Sequence, residues 1–255
     1  MNCNMSQKPE KLYGLLGHPL THSFSQIYFN QKFAAENISA EYINFDIPDI
    51  DFIMEIIAEN HNLCGLNVTI PYKEQVIPYL NELDDAAREV GAVNVIKVIR
   101  EKDNVILKGY NSDIIGFSDS IAPLLKPHHT SALILGTGGA SKAVAYALQK
   151  LGLTVQFVSR RKTANTLVYE ELTKQHFKDS KVIVNTTPLG MYPNIDTCPD
   201  IPYRFLTEQH LCYDLIYNPE ETMFMKESKK YGAEVKNGLE MLLLQAFASY
   251  NIWNK

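Results

Sequence analysis

The feature that most restricts the fold of this chain is a glycine-rich loop, residues 136–140 (Gly-Thr-Gly-Gly-Ala). It lies between a predicted strand at 132–135 and a predicted helix at 141–151. Glycines permit a tight turn close to a ligand, and the N-terminus of the next helix favours a pyrophosphate. The loop departs from the pattern G-x-G-x-x-G/A, because Gly139 is added and Ser141 takes the last position. We predict a dinucleotide site here, with a purely structural turn as the alternative. The predicted cofactor-binding residues of the loop are Gly136, Gly138, Gly139 and Ala140.

The end of the next predicted strand, at 155–158, indicates which dinucleotide binds. The chain continues there with Ser159, Arg160 and Arg161, and no carboxylate follows the strand. A site for NAD usually carries Asp or Glu at this point, whereas arginine attracts the 2′-phosphate of NADP. We therefore predict NADP as the cofactor. A solvated basic start of the next helix is the alternative.

Composition limits the class of partner. The chain has 255 residues, a net charge of -5 and 45% hydrophobic residues, which is typical of a globular protein of one large or two small domains. The negative charge argues against a nucleic acid or an anionic membrane as partner. The cysteines form no C-x-x-C pair, the first ten residues are polar, and no run approaches the roughly 18 apolar residues of a membrane span. We expect a cytoplasmic protein that binds a small molecule.

Strands and helices alternate along both halves of the chain. In the first half we predict strands at 11–17, 41–47 and 64–70, helices at 23–36 and 49–59, and an antiparallel hairpin at 93–99 and 105–110. In the second half we predict strands at 132–135, 155–158, 181–185 and 212–216, and an apolar helix at 238–253. This alternation predicts an α/β fold. The predicted units are an N-terminal α/β substrate-binding domain with a mainly parallel sheet, residues 1–113 and 238–255, and a Rossmann-like NADP-binding domain, residues 114–237, with a cleft between them.

Several polar motifs lie outside the nucleotide-binding pattern. Residues 67–73 (Asn-Val-Thr-Ile-Pro-Tyr-Lys) place a lysine just after a strand, and residues 21–25 (Thr-His-Ser-Phe-Ser) open a helix. Two hydroxyls beside free helix N–H groups can bind a carboxylate. Asn94 precedes the hairpin and residues 111–113 (Asn-Ser-Asp) follow it. Taken singly, each motif also fits an ordinary role as an N-cap, an exposed lysine or a turn residue.

Taken together, these motifs resemble the shikimate dehydrogenase family of quinate/shikimate oxidoreductases. The resemblance extends from residue 13 to the C-terminus. Its ordered motifs are the serines at 23 and 25, then 67–73, 91–94, 111–113, the loop at 136, 185–187, 213–217 and 238–245. The resemblance implies an NADP-dependent enzyme that reversibly reduces 3-dehydroshikimate to shikimate in the biosynthesis of chorismate and aromatic amino acids. We expect a monomer or a homodimer.

The resemblance assigns roles to individual residues. Lys73 and Asp113 would be the catalytic pair at the hydroxyl that is oxidised, and Ser23 and Ser25 would hold the substrate carboxylate. The other substrate-binding residues would be Asn67, Thr69, Asn94, Tyr217 and Gln245. The cofactor-binding residues outside the glycine loop would be Ser159, Arg160 and Arg161 near the 2′-phosphate, Gly238 and Met241 near the nicotinamide, and Thr186.

Four positions depart from the family pattern and leave substrate selectivity open. Phe24 stands where many relatives have lysine, Gln26 replaces proline, and Val95 and Ser112 each replace threonine. The proton chemistry also has two possible forms. A lysine with a pKa of about 10.4 is a poor base near neutrality, burial lowers that pKa and a neighbouring carboxylate raises it. We therefore favour Lys73 and Asp113 as one coupled unit over a solitary lysine base.

Two alternatives remain at the level of the sequence. The first is an enzyme of the same family that acts on quinate or on both acids, with NAD as a further possibility. The second is a non-catalytic sensor of the metabolite or dinucleotide. We predict no metal site, because the histidines are scattered and the pair at 128–129 has no carboxylate cluster beside it. His18 and His22 flank the serine motif, and we expect a structural role for them.

Overall fold

The structure is a computed structural model that describes residues 9–20, 23–102 and 104–255. It divides into two compact units, Met1–Asn111 with Ser249–Lys255, and Ser112–Ala248. The division predicted from the sequence differs from these bounds in that it assigns residues 112–113 and 238–248 to the first unit. The predicted division into a substrate-binding and an NADP-binding domain stays a prediction.

The first unit is built on a mixed sheet. Its elements are β1 Lys11–Gly17, α1 Phe24–Ala35, β2 Ala40–Asp46, α2 Ile53–Glu59, β3 Leu63–Val68, β4 Glu82–Leu83, α3 Asp85–Val90, β5 Val95–Glu101 and β6 Asn104–Tyr110. The strand order is β2-β1-β3-β5-β6-β4. β1 pairs in parallel with β2 and with β3, and β4 pairs in parallel with β6. β5 is antiparallel to both β3 and β6, which confirms the predicted hairpin.

Both faces of β1 are covered, and this explains its continuous apolar sequence. Leu12 and Leu16 point into an aliphatic core together with Ile53 of α2. Tyr13 points the other way, where its ring stacks on that of Trp253 with centroids 4.7 Å apart. Period-two alternation therefore separates an aliphatic layer from an aromatic layer. The aromatic layer lies against α1 and the last turns of the C-terminal helix.

The second unit is a parallel sheet covered by helices. Its elements are α4 Ser112–Ile121, β7 Ser131–Leu135, α5 Gly139–Lys150, β8 Thr154–Ser159, β9 Thr166–Val168, α6 Lys174–Asp179, β10 Val182–Asn185, β11 Leu211–Asp214, α7 Met223–Lys229, β12 Glu234–Lys236 and most of α8, Leu239–Asn254. The strand order is β12-β11-β10-β7-β8-β9, and all of these pairs are parallel. β7 and β10 bury nearly every side chain, as expected for central strands. This arrangement confirms the Rossmann-like prediction.

Several element boundaries differ from those predicted. The third strand ends at Val68 rather than at residue 70, because a turn that contains Pro71 follows. The helix predicted at 49–59 begins as a 3-10 turn, Ile50–Phe52. α5 begins two residues before the predicted start, at Gly139. In the part of the chain that the structure describes, no helix is both long enough and apolar enough to cross a membrane.

Candidate active site

The glycine loop has a backbone geometry that only glycine accommodates at its first position. Gly136 has φ 115°, and its N–H donates to the carbonyl of Val158 at 2.9 Å. A Cβ at Gly136 would lie 2.6 Å from Oγ1 of Thr186. The loop therefore reverses direction tightly between β7 and α5, as predicted.

Gly138 is the N-cap of α5 and opens the helix N-terminus to a ligand. It has no side chain to cap the first N–H groups, and the space where a Cβ would project is open within 4 Å. Ser141 donates its hydroxyl to the Gly138 carbonyl at 2.6 Å, and this hydrogen bond stabilises the turn. Unpaired N–H groups and the helix dipole favour a phosphate at this point. These residues fit the pyrophosphate of a dinucleotide.

The residues after β8 carry the charge that was predicted to select NADP. Ser159 is the last residue of the strand, and its Oγ accepts from the backbone N–H of Arg161 at 3.3 Å. Arg160 and Arg161 are exposed. Lys162, by contrast, is paired with Glu171 at 2.5 Å. The two arginines are therefore the cations of this turn that fit a 2′-phosphate.

Thr186 lies at the carboxyl end of β10, beside the glycine loop. Its N–H and its hydroxyl both donate to the carbonyl of Leu135, at 2.9 and 2.7 Å. The preceding residue, Asn185, donates to the carboxylate of Asp214 at 3.0 Å and accepts from both N and Oγ1 of Thr187. The motif at 185–187 thus forms a rigid edge along the carboxyl ends of the strands, where ligands bind in such sheets.

Asp214 holds this edge by hydrogen bonds, and no role was assigned to it from the sequence. It is fully buried at the end of β11, and it accepts from Thr222 at 2.6 Å and from the Ile216 N–H at 3.0 Å. Burial raises the pKa of this carboxyl to about 6. The sequence feature that could have indicated this role is an aspartate at the end of an apolar strand.

The start of α8 contains the residues predicted to lie near the nicotinamide. A Cβ at Gly238 would overlap the Leu215 carbonyl oxygen, so only glycine fits. Met241 is buried in the core of the second unit with Phe117. Tyr217 follows β11, is 39% exposed, and has a pKa raised by partial burial. The structure shows a packing role for Met241, and its role at the cofactor stays a prediction.

Asp113 and Gln245 lie on two helices that approach each other closely. Asp113 is in the first turn of α4 and is 7% exposed. A Cβ at Gly116 would lie 2.7 Å from the Met241 carbonyl oxygen, so glycine permits this approach of α4 to α8. Ser112 donates to Oε1 of Gln245 at 3.4 Å. The helix that carries Asp113 is therefore joined to the helix that carries Gln245.

Lys73 lies in a turn that is fastened by its backbone. The turn begins at Thr69, whose N–H donates to the Leu16 carbonyl at 2.9 Å, and the carbonyl of Lys73 accepts from the Val93 N–H at 2.7 Å. Tyr72 is buried and donates its hydroxyl to the Ile47 carbonyl at 2.7 Å. Hydrogen bonds therefore fix the main chain at and around Lys73, and its side chain is half-buried.

The segment around Asn94 connects Lys73 to Asn67. The Asn94 carbonyl accepts from the Val68 N–H at 2.8 Å and from the side-chain amide of Asn67 at 3.3 Å. Asn111, to which no role was assigned from the sequence, donates from its buried amide to the Ala92 carbonyl at 2.8 Å. The structure thus brings Asn67, Asn94 and the main chain of Lys73 together within the first unit.

The serine motif begins α1 as predicted, although Thr21 and His22 lie outside the described residues. Ser23 is the N-cap, and its Oγ accepts from the Gln26 N–H at 3.1 Å. Ser25 lies in the first turn of α1. His18 contacts the Asp46 carboxylate at 2.7 Å, and the pKa of Asp46 is lowered by the Leu20 N–H and by His18. This contact ties His18 to the end of β2, and its expected structural role stays a prediction.

The predicted catalytic pair is divided between the two units, with Lys73 in the first and Asp113 in the second. The coupling of the two side chains stays a prediction. Across residues 9–20, 23–102 and 104–255, no group of three or more His, Cys, Asp or Glu side chains is placed to hold a metal ion.

Comparison with known proteins identifies a family. The model of the shikimate dehydrogenase substrate-binding domain matches residues 15–96. A protein named shikimate dehydrogenase (NADP(+)) from Methanococcus maripaludis strain C6 is 37% identical over 268 residues, which cover 98% of this chain and 93% of that protein.

Solved structures show the same fold over nearly the whole chain. The shikimate 5-dehydrogenase of Thermus thermophilus, in complex with NADP(H) and shikimate, is similar with a TM-score of 0.82 at 27% identity, and the match covers 95% of this chain and 93% of that one. The quinate dehydrogenase of Corynebacterium glutamicum, in complex with NAD, has a TM-score of 0.83 at 25% identity, and the match covers 96% and 93%.

Proposed function

The chain belongs to the shikimate dehydrogenase family, and we propose that it catalyses the NADP-dependent, reversible reduction of 3-dehydroshikimate to shikimate. This reaction belongs to the biosynthesis of chorismate and aromatic amino acids. We further propose that the enzyme acts in the cytoplasm as a monomer or a homodimer, with small molecules and not nucleic acids or membranes as its partners.

The observation that carries the proposal is the 37% identity to an NADP-dependent relative over 98% of the chain. The cofactor-binding edge supports it independently. An open helix N-terminus at Gly138 fits a pyrophosphate, and exposed Arg160 follows β8 where an NAD site would carry a carboxylate. NADP, when bound, supplies the hydride chemistry, so the protein must align the substrate and manage one proton.

We propose that Lys73 and Asp113 manage this proton. In the reducing direction the lysine ammonium donates to the ketone oxygen, and in the oxidising direction the amine accepts the hydroxyl proton. Asp113 orients the ammonium and offsets its charge. The fixed main chain at Lys73, held by the Val93 N–H, supports a role that demands a defined position.

The remaining polar residues are proposed to bind the substrate. Ser23 and Ser25 bind the carboxylate near the N-terminus of α1, where the helix dipole also favours an anion. Asn67, Thr69 and Asn94 bind ring hydroxyls. Gln245 and Tyr217 complete the set, with Tyr217 closing over the substrate.

A quinate or dual-specificity dehydrogenase is the second candidate. It is favoured by Phe24, which replaces a lysine beside the two serines, and by the similar fold of an NAD-bound quinate dehydrogenase. The absence of a carboxylate in residues 159–162 argues against NAD.

Initial rates of dinucleotide reduction test the proposal. Shikimate and quinate are each assayed with NADP⁺ and with NAD⁺, and we expect the highest kcat/KM for shikimate with NADP⁺. A higher kcat/KM for quinate would support the second candidate. Saturable binding of shikimate without turnover would identify a sensor and refute the enzymatic assignment.

A further inference from the structure

Tyr42 joins several elements of the first unit, although it belongs to none of the family motifs used above. It is fully buried in β2. Its backbone N–H donates to Oδ1 of Asn30 and its carbonyl accepts from Nδ2 of the same side chain, both at 2.9 Å. Its hydroxyl donates to Oδ1 of Asn67 at 2.9 Å. Tyr42 therefore links α1, β2 and β3.

The partners of Asn67 determine which way its amide points. The Asn94 carbonyl can only accept, so the amide nitrogen faces it at 3.3 Å, and the same nitrogen donates to Oγ of Ser249 at 2.9 Å. The amide oxygen consequently faces Tyr42. Both amide hydrogens are engaged, and the oxygen keeps one lone pair. In this arrangement Asn67 can accept a hydrogen bond from a ligand but cannot donate one.

We propose that Tyr42, together with Ser249, is a positioning residue that presents the amide oxygen of Asn67 to a hydroxyl of the substrate ring. This inference rests on the proposed function, since it names the group that meets one shikimate hydroxyl. The selectivity that follows is for a ligand with a hydrogen-bond donor at that ring position. A ligand that presents only an acceptor there finds no donor on Asn67.

The hydroxyl of Tyr42 can be removed without emptying the core. Its ring stacks on Phe29 with centroids 4.8 Å apart, and phenylalanine would fill the same space. Tyr13 provides a matched control. It is 1% exposed on the same aromatic layer, and its hydroxyl donates to Asn254 at 3.3 Å rather than to Asn67.

The test compares Tyr42→Phe, Tyr13→Phe and the wild-type chain. We expect Tyr42→Phe to raise the KM for shikimate about three- to tenfold, as for one lost hydrogen bond, and to leave the KM for NADP⁺ unchanged. Tyr13→Phe should change neither constant. With shikimate analogues that each lack one unreacting ring hydroxyl, the difference between wild type and Tyr42→Phe should vanish for one analogue only.

Each other outcome counts against the inference. An unchanged KM for shikimate in folded Tyr42→Phe, an equal rise in the KM for NADP⁺, or the same change in Tyr13→Phe would overturn it. If Tyr42→Phe does not fold, Ser249→Ala removes the other anchor and should show the same selective rise. The wild-type rate with shikimate and NADP⁺ tests the proposed function separately, and its absence would remove both proposals.

Discussion

The loop at 136–140 and the buried chain around Tyr42 hold ligand-binding groups in two different ways. At the loop, the proposed contacts to the dinucleotide are backbone N–H groups, and the geometry depends on glycines such as Gly136 with φ 115°. Around Tyr42, side chains of α1, β3 and α8 are held by hydrogen bonds to Tyr42 or to one another. The cofactor edge is therefore sensitive to an added Cβ, whereas the substrate side is sensitive to a lost polar atom.

The largest effect on turnover is expected at Lys73, because this residue is proposed to transfer the proton. Lys73→Ala should lower kcat by about 10²- to 10⁴-fold, the usual contribution of a positioned acid–base group. Binding of NADPH, measured by fluorescence titration, should change little. Lys108→Ala is the control, because that lysine pairs with Glu82 at 2.9 Å on the sheet edge. Nearly unchanged turnover in Lys73→Ala would exclude the assignment.

Two glycine variants separate the fold of the cofactor edge from its ligand. Gly136→Ala forces a positive φ on alanine and places its Cβ against Thr186, so it should destabilise the protein by about 1–3 kcal/mol. Gly138→Ala places a Cβ in the open space that a phosphate would occupy, so NADPH affinity should fall at least about tenfold, while the melting temperature should fall less than in Gly136→Ala. Melting and fluorescence titration measure the two quantities. Unchanged NADPH affinity in Gly138→Ala would contradict the site.

A substitution in the turn at 159–161 should have a smaller effect on the enzyme, and one that is selective for NADPH over NADH. Arg160 is proposed to make a charge-assisted hydrogen bond to the 2′-phosphate, so in Arg160→Ala NADPH should bind about 10- to 100-fold more weakly. Binding of NADH should be unaffected. Lys162→Ala is the matched control, because Lys162 is paired with Glu171. Equal losses for both dinucleotides would show that the turn does not read the phosphate.

Elements that depend on residues close in sequence could be predicted. The strand β1 and the tight turn at Gly136 have the bounds and the geometry that were expected, whereas the cofactor-binding roles of the loop residues and of Gly238 stay predictions. The strands β4, β9 and β12 were not predicted, because they are only two or three residues long and make no periodic pattern.

Tyr42 could not be found from the sequence, because strand register places it beside Asn67, and Ser249 reaches Asn67 from α8, far along the chain. On one side of β1, Tyr42 of β2 pairs with Tyr13. On the other side of β1, Asn67 of β3 pairs with Leu15. Since positions 13 and 15 share a face, Tyr42 and Asn67 come together from strands that flank β1. No local pattern encodes that neighbourhood. The same holds for Asp214, whose partners lie at Asn185 and Thr222.

The smallest expected effect is on the pH dependence of stability, and it comes from two buried histidines of the second unit. Nδ1 of His129 accepts from the Lys126 N–H at 3.1 Å, and Nδ1 of His210 accepts from the Thr207 N–H at 3.0 Å. Nε2 of each ring lies against a backbone carbonyl, which the neutral ring can satisfy as a donor. Burial lowers the pKa of both histidines.

These histidines should make stability fall in weak acid. The unfolded chain takes up protons near pH 6.5, while the folded histidines stay neutral to lower pH, so the unfolded state binds more protons in that window. Stability should fall as pH drops from about 6.5 towards the lowered pKa values. Asp214 acts in the opposite sense below its raised pKa of about 6, where the folded carboxyl binds the proton first.

His210→Gln isolates the histidine contribution, because glutamine keeps a donor for the Phe177 carbonyl. Urea unfolding midpoints at pH 7.5 and 5.5 should differ less in the variant than in the wild type. The contribution of Asp214 is common to both proteins and cancels in this comparison. Parallel pH profiles would show that His210 does not contribute.

The most direct test of the contrast between the two units is a full initial-rate study of Tyr42→Phe and Gly138→Ala, with shikimate and NADP⁺ varied independently. We predict a crossed result, in which Tyr42→Phe raises only the KM for shikimate and Gly138→Ala raises only the KM for NADP⁺. Parallel changes of both constants in both variants, or no turnover by the wild-type chain, would contradict the account.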